Sequence, residues 1–199
     1  IRDSYSEYPY VKDVPSDLEL SYERTETSVT AVMTAGPSHP EPDARGVAGN
    51  TYDGMSIRVT LYADQPYIDI AWSMDNKQAD PWPMADWLSL PFAIQGDPQY
   101  RLYRLGGVMD PETQIINRSG VNNLCLDGGM AILGEDGKGV ALCSPDVPNV
   151  SIGKTGIYEF DKVQEVVYDQ GNAFDPAEPT VFLNLYNNQW DCGWSTWNG

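Results

Sequence analysis

The chain has 199 residues, with 12 basic and 29 acidic side chains and a formal net charge of −17. That balance argues against nucleic acid or an anionic membrane surface as the main partner, because both demand clustered Lys and Arg. Hydrophobic residues at 41% and charged residues at 21% suffice for a sizeable core and exclude a disordered chain.

Taken in chain order, the first residues, Ile1-Arg2-Asp3-Ser4-Tyr5, carry no apolar stretch of the kind a signal peptide needs. No apolar run reaches the roughly 18–20 residues of a membrane helix. The start lacks Met and the end, Trp194-Ser195-Thr196-Trp197-Asn198-Gly199, is aromatic-rich. Both read as cuts, so the expectation is one domain, 1–199, excised from a longer chain.

Strands are expected at 18–22 and 29–33. Ile57, Val59 and Leu61 then alternate with polar residues, and Ile68, Ile70, Trp72 and Met74 do the same after Ala63-Asp64-Gln65-Pro66. This period of two predicts a hairpin with one buried face. Further strands are expected at 88–94, 100–105, 130–133, 140–143, 157–160, 163–167 and 180–186. The expected inward set is Ile57, Val59, Leu61, Ile68, Ile70, Trp72, Leu90, Phe92, Val181, Leu183 and Leu185. Residues 36–50 and 170–179 read as loops. No amphipathic helix stands out. The 18 Gly and 15 Pro, with ten or more strands, predict an all-β fold, a large two-sheet antiparallel sandwich.

Chemistry-bearing residues are sparse. His39, the one histidine, sits in Ser38-His39-Pro40-Glu41-Pro42 and reads as a solvated loop residue. Cys125, Cys143 and Cys192 have no metal-ligand spacing and read as small buried hydrophobes, with one disulfide left open. No metal site is expected. Acidic residues at Asp127 and 169–175 lack the spacing of an EF-hand loop. Asn117-Arg118-Ser119 and Asn149-Val150-Ser151 match the glycosylation sequon, a pattern frequent by chance. Aromatic residues say more. Trp82, Trp87, Trp190, Trp194 and Trp197 lie near Pro, Asp and Asn. A Trp face stacks on the CH face of a sugar, and a neighbouring Asn or Asp bonds its hydroxyls. The alternative for these Trp is closure of the sandwich ends.

Three segments carry a resemblance. They are Pro81-Trp82-Pro83-Met84-Ala85-Asp86-Trp87-Leu88-Ser89-Leu90-Pro91-Phe92, Ser144-Pro145-Asp146-Val147-Pro148-Asn149-Val150-Ser151-Ile152-Gly153, and Phe182-Leu183-Asn184-Leu185-Tyr186-Asn187-Asn188-Gln189-Trp190. Their order and separation resemble the C-terminal β-sandwich region of proteins related to glycoside hydrolase family 38, the α-mannosidases, nearest a bacterial branch. The chain departs from that pattern at Met84, where an acidic residue is expected, and at Asp191-Cys192-Gly193-Trp194. The resemblance implies a galactose-mutarotase-like supersandwich. It also implies a separate catalytic domain that carries zinc and an Asp nucleophile, so no cofactor belongs to this chain.

The function expected is an accessory domain of an α-mannosidase-like glycoside hydrolase, inactive alone. Its partners would be the catalytic domain of the same polypeptide and carbohydrate, with neither nucleic acid nor membrane. Asp146, Asn187, Asn188, Trp190, Trp82 and Trp87 are the candidates for a carbohydrate or domain interface. A freestanding carbohydrate-binding module is the alternative, and a mutarotase-like enzyme a third reading. The compartment is left open between bacterial cytoplasm and secretion.

Overall fold

The computed structural model describes residues 14–15, 17–42, 49–79, 84–116, 123–155, 174 and 176–187. They fall into two compact units, 14–79 and 84–187, each taken by itself. Every strand pair is antiparallel, and the fold is all-β and of sandwich type.

The first unit is a four-stranded meander, β1 (Leu18–Arg24), β2 (Ser28–Ala35), β3 (Gly54–Tyr62) and β4 (Ile68–Asp75), in the order β1-β2-β3-β4. The register sorts side chains cleanly by face, because directly paired residues point the same way. One face carries rows such as Leu20–Met33–Ile57–Trp72 and Tyr22–Ala31–Val59–Ile70. The other carries Glu19, Glu23, Thr30, Thr60, Asp69 and Asp75.

Cross-strand polar pairs knit this second face. Thr30 and Thr60 hydroxyls lie 2.9 Å apart, Ser56 and Ser73 hydroxyls 2.8 Å, and Tyr62 donates to Asp69 at 2.7 Å. Arg58 spans to Glu23 with two bonds of 2.6 and 3.2 Å. That guanidinium holds the Glu23 carboxyl below its usual range. Both groups are exposed, so the pair fixes geometry more than it adds stability.

The second unit packs two sheets. One has the order β10-β9-β6-β7, from β6 (Gln99–Arg104), β7 (Gly107–Met109), β9 (Gly129–Leu133) and β10 (Gly139–Cys143). The other has the order β5-β12-β11-β8, from β5 (Ala85–Pro91), β8 (Leu124–Cys125), β11 (Asn149–Ile152) and β12 (Thr180–Asn187). The rows Leu142–Met130–Leu102–Met109 and Leu88–Leu183–Val150–Leu124 are in register within their sheets and supply the facing layers. Leu102, Leu124, Ile132, Val150 and Val181 are sealed from water. Phe174 joins this core edge-on to Tyr100, with ring centroids 5.1 Å apart.

Three local devices shape this unit. The β6–β7 hairpin turns on Leu105 and Gly106, both at positive φ (53° and 74°). This is the pattern of a type I′ turn, where Asn-Gly is usual. The Gly106 N–H donates to the Asp127 carboxylate at 2.9 Å, which anchors the turn. In the β9–β10 pair, a Cβ on Gly139 would overlap the Ile132 carbonyl, and one on Gly129 would come within 2.5 Å of the Leu142 carbonyl oxygen. The four-residue helix α1 (Pro111–Gln114) starts from Asp110, whose carboxylate accepts from the Glu112 N–H at 3.0 Å.

Several expectations need correction. Ile57, Val59 and Trp72 are half-buried, and Leu61, Ile68 and Ile70 are exposed. Alternation identified the apolar face correctly but not its depth. Leu90 and Phe92 are also only half-buried, although both pack against the core. Val181 and Leu183 lie in the core as expected. Residues 92–94 fall outside β5, while β7, β8, β11 and α1 add elements that the reading missed. Cys125 and Cys143 are exposed free thiols, not buried hydrophobes. The strands expected at 157–160 and 163–167, and Cys192, lie outside the described residues.

Leu183→Ala should therefore cost about 2–5 kcal/mol in urea denaturation, through lost transfer and a cavity. Ile70→Ala should cost less than about 1 kcal/mol, because 41% of its surface already meets solvent.

Tyr100 supplies a second expectation. Its hydroxyl is buried with no hydrogen-bond partner among the described residues, and burial raises the phenol to about 12. The unfolded chain releases this proton near pH 10 and the folded chain near 12, so stability is retained below pH 10 and falls as pH rises between those values. The fall amounts to about 2–3 kcal/mol. Tyr100→Phe should raise stability by about 1 kcal/mol at neutral pH and abolish that alkaline component, as read by denaturation at pH 8 and pH 11.

Candidate functional site

Asn187, Ala85 and Asn149 share one end of the β5-β12-β11 sheet. The register dictates this: β12 runs antiparallel to both neighbours, with Asn187 opposite Ala85 and Val150 opposite Leu183. The last residues of β12 therefore lie where β5 and β11 begin. Asp146 enters at the same end, in the short connection that leads into β11.

That connection is tied down at several points. The Ser144 hydroxyl donates to the Val147 carbonyl at 2.8 Å, and the Ser144 N–H donates to the Gly128 carbonyl at 2.9 Å. The Leu126 N–H donates to the Pro148 carbonyl at 2.8 Å. Asp146 is left exposed at the tip of this anchored loop.

Asn184 shapes the end of β12. Pairing passes from Asn184–Trp87 to Tyr186–Asp86, so Leu185 is the extra residue of a β-bulge. The Asn184 carboxamide is buried and donates to the carbonyls of Asp86 (3.4 Å) and Tyr186 (3.3 Å). It bridges the two strands across the irregularity. The bulge also explains why Leu185, expected inward, is half-buried: it is shifted out of the alternation. Trp87 lies opposite Asn184, on the face away from the sandwich core, and is half-buried.

The structure thus brings Trp87, Asn187 and the Asp146 loop to one sheet end. Trp82, Asn188 and Trp190 lie outside the described residues. The sequence reading missed Asn184, although one signal was present. A carboxamide inside the apolar run Val181–Tyr186 must find internal partners if it is buried.

Chemically, the end holds the half-buried indole of Trp87, the exposed Asn187 carboxamide and the exposed Asp146 carboxylate. These groups suit recognition of hydroxyls or of foreign backbone. His39 belongs elsewhere, in the first unit. Its Nε2 lies 3.2 Å from Asp53, whose other oxygen accepts from the Asn76 amide at 2.7 Å. Among the described residues, no group of three His, Cys, Asp or Glu is placed to hold a metal ion. The Asn149 sequon lies within β11, which is paired on both sides, with Val150 and Ser151 sealed from solvent. Among the described residues, no helix is long and apolar enough to cross a membrane.

Replacing Asn184 by Ala should remove both bridging bonds and cost about 1–2 kcal/mol. Amide exchange should accelerate at residues 85–87 and 184–187 and remain unchanged at Leu102 and Ile132.

Comparison with known proteins adds no relative: no family profile, curated protein or solved structure matches the chain.

Proposed function

We propose that this chain is an accessory β-sandwich of an α-mannosidase-like glycoside hydrolase, packing on a separate zinc-dependent catalytic domain and inactive by itself. One observation supports the reading above others. The three segments that carry the resemblance are far apart in sequence, yet they supply three neighbouring strands, β5, β12 and β11. A shared ancestry of a single sheet would leave such a trace. The sheet end they form bears Trp87, Asn187 and Asp146, groups able to meet a sugar or another domain's backbone.

The second reading, a freestanding carbohydrate-binding module, draws on the same indole and carboxamides. The two differ in what the chain does alone. An accessory domain should neither hydrolyse an aryl mannoside nor release titratable heat with mannobiose. In the full polypeptide that carries it, Trp87→Ala combined with Asn187→Ala should lower kcat/KM at least about tenfold, roughly 1.4 kcal/mol. Turnover by the isolated chain that a chelator abolishes would overturn the proposal. Millimolar or tighter mannobiose binding, lost in Asn187→Ala, would favour the binding module.

A further inference from the structure

We infer that the apolar face of the β1–β4 sheet is a self-association surface that takes the same face of a second copy of this chain. Leu18, Leu20, Tyr22, Leu61, Ile68 and Ile70 are between 41% and 62% exposed on it. Monomers rarely leave an apolar patch of this extent open unless it is used. Four strands about 4.8 Å apart, and about seven residues of roughly 3.3 Å rise, give a face near 19 by 23 Å. That is roughly 450 Å² per copy and 900 Å² for a pair, the size of a weak, reversible dimer.

Charge selects this mode of pairing. In a chain of net charge −17, the strand carboxylates Glu19, Glu23, Asp69 and Asp75 all sit on the opposite face. The apolar face carries one charged residue, Arg24, in the row with Val29, Leu61 and Ile68. Two copies can therefore meet face to face without opposing carboxylates. Pairing through the open edge of β1, centred on Ser21, would instead set Glu19 against Glu23 of the other copy. A mostly aliphatic sheet face also matches another such face, since aligned sheets interdigitate about 10 Å apart. A twofold axis makes the patch its own complement.

Sedimentation equilibrium across a concentration series tests the proposal on the intact chain. A reversible monomer–dimer equilibrium is expected, with a dissociation constant on the order of 100 μM. Raising salt from about 20 to 500 mM should tighten it several-fold, because salt screens the repulsion of two acidic copies and leaves the apolar contact intact. Leu20→Lys and Ile70→Lys should each weaken it more than tenfold. Ser21→Lys adds the same charge on the opposite face and should not weaken it. A monomer at every concentration up to about 1 mM would overturn the proposal. So would association that salt weakens, that both face variants leave intact, or that Ser21→Lys disrupts equally. The salt response of the unaltered chain decides the matter even where a variant fails to fold, which circular dichroism would report.

Discussion

Exclusion of water from between two sheets is the constraint on which residues 84–187 depend. Leu102 and Ile132 come from one sheet, and Val150 and Val181 from the other. Each is a branched aliphatic residue on the inward phase of its strand. Burial of this kind stabilises by roughly 1.5–3 kcal/mol per side chain relative to exposure. It also fixes register, because a one-residue slip would turn the inward row of a strand to the outside. The sheet-end cluster inherits its position from that registration. Asn187 stands beside Ala85 because Val181 and Leu183 are locked opposite Leu90 and Leu88 further down the strands.

Residues 14–79 obey the same alternation with a different outcome. Their sheet is as regular as the other two, and its polar face is laced with hydroxyl pairs and the Arg58–Glu23 bridge. Yet the large apolar residues on the opposite face retain much of their exposure. Thr30 and Val32, on the polar side of central strand β2, are more deeply buried than Leu20 or Ile70 on the apolar side. Local pattern is enough to form a sheet, but depth of burial depends on what lies across from it.

That distinction separates what could be read from the sequence from what could not. Strict alternation at Ile57–Leu61 and Ile68–Met74 is a local property, and β3 and β4 form where it predicts them. How deeply Ile70 is buried is a property of tertiary packing, which alternation does not encode. Short elements escaped for other reasons. β11 is four residues long and follows Pro148, while β7 follows a turn that places Leu where Asn or Asp would signal a hairpin. At the sheet end, Trp87, Asn187 and Asp146 could be singled out by residue type alone. Asn184 showed itself only as a carboxamide inside an apolar run, and its two acceptors exist only once β12 lies beside β5 with a residue to spare.

The two glycines of the β9–β10 pair bear on how this fold can change over generations. Each sits where backbone from the neighbouring strand occupies the space a side chain would need. Every amino-acid change open to a glycine codon introduces a Cβ, and no rotamer moves a Cβ aside. Strand contact and substitution at these sites therefore exclude one another unless the strands move apart. The outward residues of the same two strands, such as the paired Ala131 and Ala141, face no such exclusion. Descent should thus erase most of the hairpin's spelling before it touches Gly129 and Gly139. Two glycines ten residues apart, each opening one strand of the hairpin and followed by an apolar run, become the mark by which a remote relative of this sandwich can be recognised.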